Sequence, residues 1–180
     1  ILATGASYLA DVTRAMEVLT KHTKDIALLQ CNTNYTGNPD NFNYVNLNVL
    51  LTYQQLFPTV VLGLSDHTPG HAAVLGAIAL GGRVIEKHFT DDNSREGPDH
   101  AFALNPKTWR EMVDRSTELF AALGDGVKRI ENNECDSAIV QRRALRAKRD
   151  IAVGEIIGTK DLEALRPVPS DGFPPYMISE

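Results

Sequence analysis

Two histidines, His67 and His88, are the residues of this sequence best placed to do chemistry. Each closes a short apolar run, Val60-Val61-Leu62-Gly63-Leu64-Ser65-Asp66-His67 and Arg83-Val84-Ile85-Glu86-Lys87-His88. Neutral imidazole is a common ligand of divalent metals, and a pair leaves positions that water and substrate oxygens can complete. Such a site polarises carbonyl oxygens and activates water. Glu86, two residues before His88, adds a carboxylate that could orient an imidazole or act as an acid–base group, or sit buried against a neighbouring Lys or Arg.

For the imidazoles to meet, the two runs must lie side by side. Residues 70–82 between them are mostly small and apolar, the composition of a crossover helix packed closely on a sheet. Two Val-, Ile- and Leu-rich strands joined in this way make a βαβ unit with parallel strands, so both histidines fall near the same C-terminal edge. Strand side chains alternate. Ser65 therefore shares a face with His67, and Val84 and Glu86 share one with His88.

The same strand–helix pattern surrounds this unit. Residues 1–4 read as a strand turning at Gly5 into a helix that reaches about residue 22, with Leu9, Val12, Met16 and Leu19 at helical spacing. A buried strand is expected over 25–31, then a polar loop over 32–40 and a helix over 44–57 stopped by Pro58. After the second histidine, the polar stretch 91–103 is longer than most strand-to-helix loops, which favours a role in a site. Asn105 and Pro106 then open a helix whose apolar face runs from Trp109 to Leu123. Four such repeats predict an α/β fold, either a doubly wound sheet or half of a (β/α) barrel, since a full barrel takes about 250 residues.

From 125 to 141 the pattern lapses into a polar linker. Short strands are expected at 144–147 and 151–157, a short helix at 160–162, and a proline-rich tail beyond. The chain starts without Met and inside an apparent strand, as a fragment or processed chain would. With 23 acidic against 18 basic residues and a net charge of -5, nucleic acid is not the expected partner. No apolar run approaches the roughly 20 residues of a membrane span, and no signal peptide is evident. Cys31 and Cys135 read as reduced thiols, which points to the cytoplasm.

Several short motifs together resemble the sialic acid synthase family, the N-acetylneuraminate synthases with their legionaminic and pseudaminic acid relatives. They are Leu28-Leu29-Gln30-Cys31 with Tyr35, Gly63-Leu64-Ser65-Asp66-His67-Thr68, Ile85-Glu86-Lys87-His88-Phe89-Thr90, Gly97-Pro98-Asp99, Arg142-Arg143 and Leu165-Arg166-Pro167. The resemblance implies the C-terminal half of a (β/α)8 TIM barrel (strands five to eight, residues 1–124), a linker (125–141) and the start of a small SAF, or antifreeze-like, domain (142–180). It also implies condensation of phosphoenolpyruvate with an N-acetylated hexose such as N-acetylmannosamine, giving a nine-carbon 2-keto sugar acid and phosphate.

By the same resemblance, His67 and His88 match ligands of a divalent metal, usually manganese. Ser65 matches a phosphate contact, Tyr35 and Asp99 match sugar contacts, and Arg166 matches an arginine offered to the partner's site in a swapped homodimer. Two positions depart from the family pattern. Ala3 replaces a phosphate-facing serine, and Thr33 replaces an asparagine while keeping one hydrogen-bond donor. The family's phosphate-binding lysine and an acidic catalytic residue belong to earlier strands, so the 180 residues alone are expected to be inactive. Other readings of the histidine pair are a metal-dependent sugar isomerase or aldolase, and a non-catalytic carbohydrate-binding fragment that holds no metal.

Overall fold

A computed structural model describes residues 1–179 and divides the chain into two compact units, Ile1–Asp125 and Gly126–Glu180. In the first, β1 (Leu2–Ala3), β2 (Ala27–Cys31), β3 (Val61–Asp66) and β4 (Val84–Lys87) form one parallel sheet in sequence order. Four helices follow the strands in turn: α1 (Leu9–Leu19), α2 (Val49–Leu56), α3 (Ala72–Ala79) and α4 (Pro106–Ala122). The predicted parallel α/β arrangement is therefore present.

Its core is the apolar face of the sheet against those helices. Leu28, Leu62 and Leu64 pack with Val12 and Met16 of α1, Leu50 and Tyr53 of α2, and Ala73 and Ala77 of α3. Small residues let α3 approach closely, as its composition predicted; a Cβ on Gly76 would lie 2.6 Å from Leu47 Cδ1. At Gly63 the strands themselves leave no room, because a Cβ there would lie 2.1 Å from the Val84 carbonyl oxygen. A second cluster joins Val74 and Ile78 of α3 to Met112 of α4. Asn105 caps α4 by accepting from the Thr108 N–H, with Pro106 in the first turn.

Three expected elements differ. The helix predicted over 44–57 begins only at Val49, because a 3-10 turn over Pro39–Tyr44, capped by Asn38, comes first and Asn46 then takes a left-handed backbone (φ 49°) that interrupts any continuous helix. The stretch read as a linker contains α5 (Cys135–Gln141). Its short length and lack of a buried face hid it from periodicity.

In the second unit, β5 (Ala144–Ala147) forms as expected, but its antiparallel partner is β6 (Leu162–Leu165), not residues 151–157. Val153 and Ile156 in that stretch are exposed. They supply no buried face for a strand. A polar network takes their place: Arg149 binds Asp161 at 3.0 Å and also Glu155, while the Gly158 N–H donates to Asp161. No helix among the described residues is long and apolar enough to cross a membrane.

Candidate active site

The β3–β4 register pairs Ser65 with Glu86 and Asp66 with Lys87, so His67 and His88 leave the sheet together at its C-terminal edge. Their ring centroids are 5.1 Å apart, edge to face. That separation is close to the spacing of neighbouring strands. Each ring has a partner at Nδ1. The His67 Nδ1 is 2.9 Å from the Asn32 carbonyl oxygen, which can only accept, so the proton sits on Nδ1 and the Nε2 lone pair is free. The His88 Nδ1 lies 3.5 Å from Asp99 Oδ2, also an acceptor. Holding a histidine by the nitrogen that does not bind metal is how proteins prepare the other one.

The loop after β2 and the loop after β4 supply the surroundings. The Tyr35 ring stands 4.3 Å from His67 and 5.5 Å from His88, and the Phe102 ring 5.2 Å from His88. Cys31 Sγ is 3.9 Å from His67 Nδ1 and 3.7 Å from Thr33 Oγ1. The loop carrying Asp99 is held at its base. Asn93 donates to the His100 and Ala103 carbonyls, Asn105 donates to Asn93, and Leu104 accepts from the Thr90 N–H and donates its own N–H to the His88 carbonyl. Within it, the Arg95 guanidinium holds the Asp91 carboxyl below its usual range, and the Ser94 N–H does the same for Asp92. Both stay ionised beside the site.

Of the expected site residues, Tyr35, His67, His88 and Asp99 come together, with Ser65 and Glu86 directly below. Glu86 is exposed and accepts a hydrogen bond from Ser65 Oγ at 2.7 Å. The carboxylate beside His88 is therefore Asp99, and the buried carboxylate paired with a lysine is Asp66. Thr33 is exposed near Gly5, whose missing side chain makes room for the Thr33 hydroxyl. Ala3 is exposed on β1 and offers no donor. Arg166 is exposed at the end of β6 in the second unit.

No sequence pattern points to the Asn32 carbonyl under His67 or to Phe102 beside His88, because both come from irregular loops. The Asp66–Lys87 pair did leave a signal. Lys87 alternates onto the helix-facing side of an apolar strand, where a lysine needs a buried acid.

Among the described residues no three His, Cys, Asp or Glu side chains form a metal-holding group. His67, with its Nε2 lone pair free, and His88 beside it fit a divalent ion whose remaining positions water and substrate oxygens would fill.

A parallel sheet with helices after each strand and polar groups gathered at the carboxyl ends defines an α/β protein, a class whose ligands bind at that edge. Residues 1–128 match the NeuB family model. The chain is 39% identical over 170 residues to the N,N'-diacetyllegionaminic acid synthase of Campylobacter jejuni, covering 93% of this chain and 50% of that protein. It is 29% identical to the human N-acetylneuraminate-9-phosphate synthase, covering 99% and 48%. A crystal structure of the sialic acid synthetase of Leptospira borgpetersenii in complex with citrate superposes with a TM-score of 0.67 at 27% identity, over 76% of this chain and 46% of that one. This chain belongs to the NeuB family, the family of the sialic acid synthases. It spans about half the length of the curated relatives it matches.

Proposed function

We propose that this chain is the C-terminal half of a sugar-acid synthase that condenses phosphoenolpyruvate with an N-acetylated hexose and releases phosphate. On this reading β1 to β4 are strands five to eight of a (β/α)8 barrel, and the second unit opens a SAF-type domain. The observation that carries it is the convergence of His67 and His88, each held at Nδ1, beneath Tyr35 and beside Asp99.

In the reaction the methylene carbon of phosphoenolpyruvate bonds to the aldehyde carbon of the sugar, water adds to the former enol carbon, and phosphate leaves. A divalent cation such as manganese, held by His67 and His88, would supply Lewis-acid polarisation of the aldehyde oxygen. Tyr35 and Asp99 bind and orient the sugar hydroxyls. Ser65 turns its hydroxyl to a phosphate oxygen, Thr33 adds a donor, and Glu86 takes the proton that the added water gives up. Arg166 binds substrate across a homodimer. The departure at Ala3 leaves the phosphate to residues of the preceding half.

The test joins the preceding half of a near relative and assays phosphate release from phosphoenolpyruvate with a panel of N-acetylated hexoses, with and without manganese. Manganese-dependent release that His67→Ala abolishes is expected, and the preferred hexose would identify the product. A folded, metal-bound protein that releases no phosphate with any hexose would reject the synthase and favour an isomerase or aldolase.

A further inference from the structure

Directly behind the histidine pair lies a charge pair that the proposed chemistry does not use. Lys87 Nζ donates to Asp66 Oδ2 at 2.7 Å, and the two side chains are 2% and 0% exposed. The other Asp66 oxygen, Oδ1, accepts from the Thr68 N–H at 2.9 Å and the Thr68 hydroxyl at 2.8 Å. Lys87 Nζ also donates to the Thr68 carbonyl. His67 is thus the middle residue of a three-residue turn whose first and last members are both tied to one ammonium, and that ammonium belongs to the residue preceding His88.

We infer that Lys87, with Asp66 and Thr68, is a positioning device that sets the distance and orientation of the two imidazoles. The β3–β4 ladder stops here: Asp66 and Lys87 are its last partners, and beyond them the His88 carbonyl and the Thr90 N–H bond to Leu104 rather than to β3, so the ladder does not join His67 to His88. The clamp acts at that point. It lies on the helix-facing side of the sheet, where water cannot compete for the ammonium, while the rings project from the opposite face. Charge-assisted bonds to both flanks of His67 remove the freedom that strand ends ordinarily keep. The residue does not touch substrate or metal; it acts through the histidines.

The inference rests on the histidine pair being the site of the proposed function, and its test separates the two. In the full-length protein, Lys87→Met alone leaves a buried carboxylate unpaired, so the informative variant is Asp66→Asn with Lys87→Met, which removes both charges and keeps the acceptor for Thr68. Thr68→Val, close in volume and lacking one bond to Asp66, is the milder second variant. Two readouts are taken: manganese affinity, and the 15N signals of the histidine rings in the metal-free protein.

The wild type is expected to show single tautomers protonated at Nδ1 for His67 and His88. The double variant is expected to keep its circular dichroism, lose about 10- to 100-fold in manganese affinity and show mixed tautomers, with Thr68→Val changing the same signals less. Should the double variant not fold, Thr68→Val decides alone. Unchanged affinity and unchanged ring signals in the folded variant would overturn the inference. A wild type that binds no manganese yet shows the tautomer change in the variant would reject the metal site and leave the clamp standing.

Discussion

Lys87 in the first unit and Arg149 in the second each tie together two other points of the chain, yet the Lys87 side chain is 2% exposed and that of Arg149 44%. Lys87 sits among strands and helices with every polar atom engaged, and its partner Asp66 is fully covered. Arg149 reaches from the surface to Glu155, whose side chain is 34% exposed, and to the covered Asp161, in a turn where no strand forms. Water reaches the Arg149 end of its bonds but neither end of the Lys87–Asp66 pair. A buried pair therefore fixes geometry and is costly to break singly, whereas a half-exposed network shapes a loop and yields more readily to salt.

The largest effect that would break this comparison is Lys87→Met. It strands the Asp66 carboxylate and is expected to destabilise the first unit by about 3–5 kcal/mol in urea unfolding, with most of that loss recovered when Asp66→Asn is added. A single variant as stable as wild type would show that the pair is not desolvated in solution. Next comes Gly63→Ala. The new methyl would meet the Val84 carbonyl oxygen, so β3 and β4 must part, at about 1–3 kcal/mol. The histidine ring signals should shift with them.

Acid and alkali should also act on different residues of the two units. Bonds from the Gly158 N–H and then Arg149 lower the Asp161 pKa, so its contribution is present above the unfolded value of about 3.9 and is lost as pH falls through the lower folded value. Burial raises the Tyr53 pKa in the first unit, against an opposing hydrogen bond with Thr4, so the fold favours the neutral phenol. Its contribution is full below about pH 10 and is lost as pH rises through the higher folded value. Amide exchange across pH should loosen residues 149–161 first in acid and the surroundings of Tyr53 first in alkali.

The smallest effect is ionic. Raising salt to about 1 M should weaken protection at residues 149–161 and leave that at 66–68 unchanged. Equal responses would erase the distinction between the two cations.

Much of the site was legible before any coordinates. Alternation placed Ser65 on the His67 face of its strand and Glu86 on the His88 face of the next, and the register of the two strands then sets them side by side in a hydrogen bond. The convergence of His67 and His88 was legible because the two strands read as parallel. Of the alternatives open for Glu86, burial against a Lys or Arg does not hold. Glu86 looked available for a lysine, but parity places it on the face opposite Lys87, so Asp66 took that place and Glu86 stayed exposed. In the second unit hydrophobicity suggested a strand at 151–157, and no face existed to bury it.

The sequence by itself determined the period-two strands, the small-residue crossover helix, the caps of α4 and the delivery of two histidines to one edge, because these depend on neighbours along the chain. Only the tertiary structure decided that the Asn32 carbonyl and Asp99 hold the rings, that Lys87 reaches both flanks of His67, and that β5 pairs with β6. Those contacts join residues far apart in sequence. Which donor meets which acceptor is set by strand register and loop return, and neither is written in any local pattern.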